Sequence, residues 1–250
     1  VFTGVGVALV TLFDDAGRLD APATGAFAAR LVDAGVRAVV VAGTTGEAAK
    51  LDGPERVKLL AAVREALPAG VPVIAGTGAT TTPQAAAYTA DAVAQGADAV
   101  LTLSLPGTAD HRHYYQEVAA AAAGAPVLAY HYPAVSDPGI PVERLGSLPV
   151  DGLKDSSGDP ERLLRELTGW DRPVYTGSSA LLSFAGPLGA AGAILALANL
   201  EPERCIRAFA GDVDAQRALV PSQVAHKADF PAGLKRLLAE RFGTSPVVRR

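Results

Sequence analysis

Val150-Asp151-Gly152-Leu153-Lys154-Asp155-Ser156-Ser157-Gly158-Asp159 is a short apolar run that ends on a lysine and then turns abruptly. Lysine is seldom buried unless it is paired or used in chemistry. A strand that stops on such a residue sets an amine at its C-terminal end. In a chain of alternating strands and helices that end is the mouth of a barrel, where active sites sit. An amine held there can condense with a ketone to a Schiff base once desolvation leaves part of it neutral. Snorkelling of Lys154 to solvent, and ordinary turn chemistry in Asp155-Ser156-Ser157-Gly158, account for the same residues when each is taken alone.

Working outward, apolar and β-branched runs recur at Val5–Leu9, Ala38–Ala42, Val71–Ala75, Ala99–Leu103, Val127–Tyr130, Val150–Lys154, Val174–Thr176 and Gly192–Leu195. Continuous runs of this length suit strands buried on both faces of a parallel sheet. Segments with helical spacing lie between them, among them Ala23–Ala34 and Glu55–Leu67. Asp52-Gly53-Pro54-Glu55, Thr82-Pro83 and Asp159-Pro160-Glu161 each set a cap residue beside an early proline. Eight strands alternating with helices predict an α/β fold, a closed (β/α)8 TIM barrel over residues 1–200; an open doubly wound sheet is the alternative and normally uses fewer strands. From Pro202 the pattern changes to helices without strands: Glu203–Ala210, Asp214–Ala228 and Ala232–Phe242. Residues 201–250 therefore read as a short helical extension packed on the barrel.

Composition narrows the class. The 250 residues are 49% hydrophobic, enough for one large core, and the net charge of −4 comes without a basic run. Nucleic acid is thus not an expected partner. Cys205 is the single cysteine, which excludes an internal disulfide and suits a reducing compartment. Gly, Pro or charged residues interrupt every apolar stretch before it reaches membrane-span length. No signal peptide is visible at the start. The expectation is a soluble cytoplasmic protein.

Further motifs stand at other predicted strand ends. Gly43-Thr44-Thr45-Gly46-Glu47 offers two hydroxyls and accessible backbone N–H groups in a glycine-flanked turn, a cradle for a carboxylate or phosphate, or a plain strand-to-helix turn with Glu47 in the first turn of the next helix. Gly76-Thr77-Gly78 is a weaker example. In Tyr130-His131-Tyr132-Pro133, Tyr130 either relays a proton or fills the barrel interior. His131 should point the opposite way and pack or face solvent. His111 and His113 flank Arg112 in a polar loop and read as solvated. No spaced His/Cys/Asp/Glu motif argues for a metal.

Taken in order, these motifs resemble the pyruvate-dependent Schiff-base lyases and synthases, the superfamily of dihydrodipicolinate synthase, N-acetylneuraminate lyase and 4-hydroxy-2-oxoglutarate aldolase. The resemblance is carried by Ala8-Leu9-Val10-Thr11, Gly43–Glu47, Gly76-Thr77-Gly78, Gly96-Ala97-Asp98-Ala99, Tyr130–Pro133, Gly152–Asp159 and Gly189–Ile194, and so covers the whole barrel. It implies a class I aldolase or lyase with no metal and no organic cofactor. Lys154 would attack the ketone of pyruvate to form an imine that acts as electron sink. Tyr130 would move protons. Thr44 and Thr45, in the turn opened by Gly43, would hold the carboxylate, with Thr44 also passing protons to Tyr130. Ile194 would line the site.

Two departures bear on the substrate. Dihydrodipicolinate synthases carry Pro-Tyr-Tyr after the fourth strand, whereas this chain has Ser104-Leu105-Pro106-Gly107. They also carry an arginine shortly after the Tyr-x-x-Pro motif, and here Ala134-Val135-Ser136-Asp137 contains none, so a bidentate carboxylate clamp is lost. Tyr114 and Tyr115 lie further on, in a predicted helix, and are not replacements. Phe230-Pro231-Ala232-Gly233-Leu234-Lys235 and Gly192–Asn199 resemble the 4-hydroxy-2-oxoglutarate aldolase branch. The implied reaction is reversible cleavage of a 2-oxo-4-hydroxy acid to pyruvate and an aldehyde. 4-hydroxy-tetrahydrodipicolinate synthesis is the alternative, a 2-oxo-3-deoxy sugar acid dehydratase a third, and a non-catalytic 2-oxo-acid sensor the reading from another class. The family is commonly oligomeric, which implies a homo-oligomer, dimer or tetramer, here.

Overall fold

Val39, Val40 and Val41 show why the strands form a barrel. Val40 belongs to the apolar cluster inside the closed sheet, while Val39 and Val41 belong to the larger cluster between sheet and helices. A strand apolar on both faces must be covered on both, and the two-residue period sorts its side chains between them. The computed structural model describes residues 1–249. Its strands are β1 (Gly4–Ala8), β2 (Val39–Val41), β3 (Val73–Gly76), β4 (Ala99–Leu103), β5 (Val127–His131), β6 (Gly152–Asp155), β7 (Val174–Thr176) and β8 (Gly192–Leu195). All pair in parallel, in sequence order, and β8 closes on β1. Each of the eight predicted strands is present, so the expected barrel is the observed one.

The outer layer holds α1 (Ala21–Asp33), α2 (Gly53–Ala66), α3 (Thr82–Ala94), α4 (Arg112–Ala121), α5 (Pro160–Gly169), α6 (Leu182–Ala185) and α7 (Pro202–Phe209). The connection from β5 to β6 is a 3-10 segment, Val142–Ser147, in place of a full helix. Asp52 and Glu55 form the reciprocal capping box that opens α2, and the Asp159 carboxylate accepts from the amides of Glu161 and Arg162 at the start of α5. Thr81 caps α3 with its backbone alone, its hydroxyl making no capping bond.

After α7 come α8 (Val213–Ala218), α9 (Val220–Lys227) and α10 (Ala232–Phe242). The single helix expected over Asp214–Ala228 is two, because Pro221 has no N–H to continue the ladder from α8 and instead sits in the first turn of α9. No described helix is long and apolar enough to cross a membrane.

Aliphatic side chains fill the lower barrel: Ala8, Ala38, Val40, Ile74, Ala99, Leu101 and Leu128. Below them Phe2 stacks on Tyr175 with ring centroids 4.7 Å apart, and the Tyr175 hydroxyl donates to the Phe2 carbonyl at 2.8 Å. The N-terminal end of the barrel is thus closed. At the other end Asn199 ties β8 to β1, its amide nitrogen donating to the Ala8 and Ala196 carbonyls at 2.7 and 2.8 Å and its oxygen accepting from Val10 N at 3.1 Å.

Candidate active site

Lys154 is the residue of β6 that faces inward. Its strand neighbours alternate with it: Leu153 enters the outer core, and Asp155 points outward to Ser157, whose amide and hydroxyl donate to its carboxylate at 2.7 and 2.9 Å. Hydrogen-bond register pairs Lys154 with Tyr130 on β5 and with Tyr175 on β7. The Lys154 side chain is only 5% exposed, and its Nζ lies 4.2 Å from the centroid of the Tyr130 ring. Burial pulls the amine down from 10.5 to about 7, so a large fraction is neutral near neutral pH. This is the state in which an amine is a nucleophile.

Burial pushes the Tyr130 phenol above 10, partly offset by the hydroxyls of Ser156 and Thr44, which face it. The phenol therefore stays protonated beside the amine. Above these groups opens a cavity of about 440 Å³, lined by Thr44, Thr45, Tyr130, Lys154 and Ile194. Five of the six residues singled out in the sequence thus meet in one cavity. Gly43 is not on its wall; its carbonyl accepts from the amides of Gly46 and Ala48 at 3.0 and 3.2 Å and so shapes the turn that presents Thr44 and Thr45.

Other wall residues had no role assigned from sequence: Tyr132, Ser156, Ser157, Ser178 and Ser179 from the strand ends, and His226, Lys227 and Phe230 from the helical extension. Two of them carried a signal. Tyr132 and Ser156 lie two residues beyond Tyr130 and Lys154, on the same face by the strand period. The Tyr132 ring indeed stacks on Tyr130, with centroids 5.9 Å apart and planes at 16°. Gly177 on β7's end is required by crowding: a Cβ there would stand 1.8 Å from Ser156 Oγ and 3.1 Å from Lys154 Cε.

His131 and His111 serve packing at the loop beyond β5. His131 points away from the cavity, its Nδ1 accepting from Ile140 N at 2.9 Å, and burial lowers it to about 3, so it is neutral. His111 is not solvated as expected but buried at 1% exposure, because its ring packs under the loop and its Nε2 meets the Gly139 carbonyl at 2.9 Å. Tyr114 and Tyr115 spend their hydroxyls on the carbonyls of Leu103 and Thr102 at 2.9 and 3.0 Å. Neither reaches the cavity. Glu47 belongs to no helical first turn; it is the joint between two 3-10 turns, Thr44–Gly46 and Ala48–Lys50, and has left-handed backbone angles (φ 57°, ψ 40°). Among the described residues no group of three or more His, Cys, Asp or Glu is arranged to hold a metal ion.

A parallel eight-stranded barrel with a desolvated lysine beside a protonated tyrosine at its C-terminal mouth is an arrangement suited to the class of imine-forming barrel lyases. Comparison with known proteins gives that class a family. The family model of the dihydrodipicolinate synthetase family matches residues 1–225, and the chain belongs to this family. An uncharacterized DapA-like lyase of Halobacterium salinarum is 34% identical over 243 residues, 93% of this chain and 79% of the relative. The 4-hydroxy-tetrahydrodipicolinate synthase of Pseudomonas aeruginosa is 37% identical over 237 residues, 88% of this chain and 80% of the relative. Among solved structures, a putative dihydrodipicolinate synthetase from Pseudomonas aeruginosa superposes with a TM-score of 0.88 at 28% identity, over 100% of this chain and 92% of that one. The protein is a class I, Schiff-base-forming, pyruvate-dependent lyase of the aldolase type.

Proposed function

We propose that Lys154 is the imine-forming residue, Tyr130 the proton carrier and the Thr44-Thr45 turn the carboxylate site, in the reversible cleavage of a 2-oxo-4-hydroxy acid to pyruvate and an aldehyde. The observation that carries this reading is the neutral-capable amine of Lys154 at the bottom of the cavity, against the Tyr130 ring. The free amine adds to the ketone carbon of the 2-oxo acid, and loss of water leaves an iminium. The departing water takes its second proton from Tyr130 by way of the Thr44 hydroxyl, and the phenolate this leaves takes the proton of the 4-hydroxyl. The bond between C3 and C4 then breaks, its electrons flow to the iminium to give an enamine, and the aldehyde departs. Protonation at C3 and hydrolysis of the imine release pyruvate and restore the amine. Thr45, buried at 5% exposure, and Thr44 hold the carboxylate through hydroxyl and amide donors that cost no reorganisation during reaction.

A second reading, 4-hydroxy-tetrahydrodipicolinate synthesis, begins from the same imine and is favoured by the names of the bacterial relatives. Against it, no arginine lines the cavity among the described residues. Intact mass after incubation with pyruvate and borohydride tests the common step: one reduced pyruvate adduct on the native chain and none on Lys154→Ala is expected. An adduct that persists on Lys154→Ala overturns the assignment of Lys154. Efficient turnover of pyruvate with aspartate semialdehyde would decide for the second reading. Assembly as a cytoplasmic homo-oligomer completes the proposal, and sedimentation velocity reports the oligomer.

A further inference from the structure

The turn that bears Thr44 and Thr45 has a second face, turned away from the cavity. There the Glu47 carboxylate is buried and both its oxygens are used: Oε1 accepts from Lys235 Nζ, and Oε2 accepts from the backbone N of Arg249 at 2.9 Å. Lys235, on α10, is fully buried and donates also to the Val247 carbonyl at 2.7 Å. Its Nζ lies 4.4 Å from one ring centroid, that of Phe13, and the Arg249 guanidinium lies 4.3 Å from the same centroid. The Arg249 guanidinium in turn grips the Glu55 carboxylate with two nitrogens at 2.6 and 2.5 Å and donates to the Gly17 and Lys50 carbonyls, each at 2.8 Å. From below, Thr11 Oγ1 donates to the Gly46 carbonyl at 2.7 Å, and a Cβ on Gly46 would stand 2.9 Å from the Leu9 carbonyl oxygen.

A buried ion pair is a poor source of net stability, because desolvation cancels most of the attraction. What a fully satisfied buried network does is hold one geometry. Here that geometry includes a non-glycine residue in the left-handed region, a conformation that persists where surrounding contacts over-determine it. The contacts come from α10 and the segment after it, about 190 to 200 positions away in sequence.

We propose that Lys235 and Arg249, with the segment 244–249, are positioning residues: they lock the Thr44–Glu47 turn from behind and so set the carboxylate site against Lys154. The proposal rests on the reading of Thr44 and Thr45 as carboxylate ligands. None of the locking groups touches substrate, so the lock acts on 2-oxo-acid capture and leaves the imine chemistry of Lys154 alone.

The test uses Arg249→Ala, Arg249→Lys and a chain ending at Gly243. Borohydride trapping is measured against pyruvate concentration, together with hydrogen exchange over residues 43–50 and circular dichroism. Half-saturating pyruvate should rise about tenfold or more in the shortened chain and about threefold in Arg249→Ala, with trapping at saturation within about twofold of the native chain. Arg249→Lys, which keeps a charge for Glu55, should fall between Arg249→Ala and the native chain. Exchange over 43–50 should quicken about tenfold in the shortened chain, with the amides of β4 unchanged. A folded shortened chain with native half-saturation overturns the lock. If that chain does not fold, native half-saturation in Arg249→Ala overturns it equally. If the native chain traps no pyruvate, the reading of Lys154 has failed, and hydrogen exchange alone decides whether the turn is locked.

Discussion

Lys154→Met removes the amine while keeping the length and volume of the side chain, and its effect on stability follows from the amine's burial. The group titrates near 10.5 when the chain is unfolded and at about 7 when it is folded. Between those two values the unfolded chain binds the extra proton, so native stability rises with pH across that window. Below about pH 7 both states are protonated and the full cost is present. At about 1.4 kcal/mol per pH unit that cost is on the order of 5 kcal/mol, an upper bound because local relaxation reduces it. At pH 9 it has fallen to about 2 kcal/mol by the same relation. Lys154→Met should therefore be more stable than the native chain, most at pH 6 and progressively less toward pH 10. Urea unfolding of both proteins at pH 6, 7.5 and 9 reads the difference directly. A methionine variant no more stable than the native chain at pH 6, or a gap that does not narrow with pH, would refute the claim that desolvation sets the amine's basicity. The same reasoning makes the initial rate of pyruvate trapping climb as pH rises through about 7.

Tyr130→Phe keeps the ring against Lys154 but removes the mobile proton, so cleavage should slow by about 10² to 10⁴, with the pyruvate adduct still trapped by borohydride. Gly177→Ala drives a methyl into Ser156 Oγ and Lys154 Cε; stability should fall by about 1–3 kcal/mol and trapping by about tenfold or more, read by urea melts and intact mass. Asn199→Ala leaves the buried Val10 amide and Ala8 carbonyl without the partners they have at 3.1 and 2.7 Å. Urea unfolding should show a loss of about 2–4 kcal/mol.

The strands and the residues that meet in the cavity were legible for a local reason. Each strand is a short apolar run bounded by Gly, Pro or Asp, and Lys154 and Tyr130 stand at the ends of two neighbouring runs. Period two then predicts the side each residue faces, which is how His131 was separated from Tyr130 and how Tyr132 and Ser156 could have been added to the site. What came from far along the chain was not legible. The placing of His226, Lys227 and Phe230 over the mouth depends on how α9 crosses the barrel, and Glu47 looked like a turn residue because its partners, Lys235 and Arg249, are on α10 and beyond it. The burial of His111 had the same origin: a polar sequence neighbourhood was folded under the loop carrying Gly139.

The Phe2–Tyr175 stack gives the barrel a floor, and with it a rule of traffic. A vessel with one opening empties in reverse order of filling. On the proposed role of Lys154, the fragment bonded to it at the bottom arrives first and departs last, and the other carbon fragment must come and go across its top. Steady-state kinetics of cleavage should accordingly show pyruvate, the last product, inhibiting competitively against the 2-oxo-4-hydroxy acid, while the aldehyde inhibits as a visitor to an already loaded enzyme.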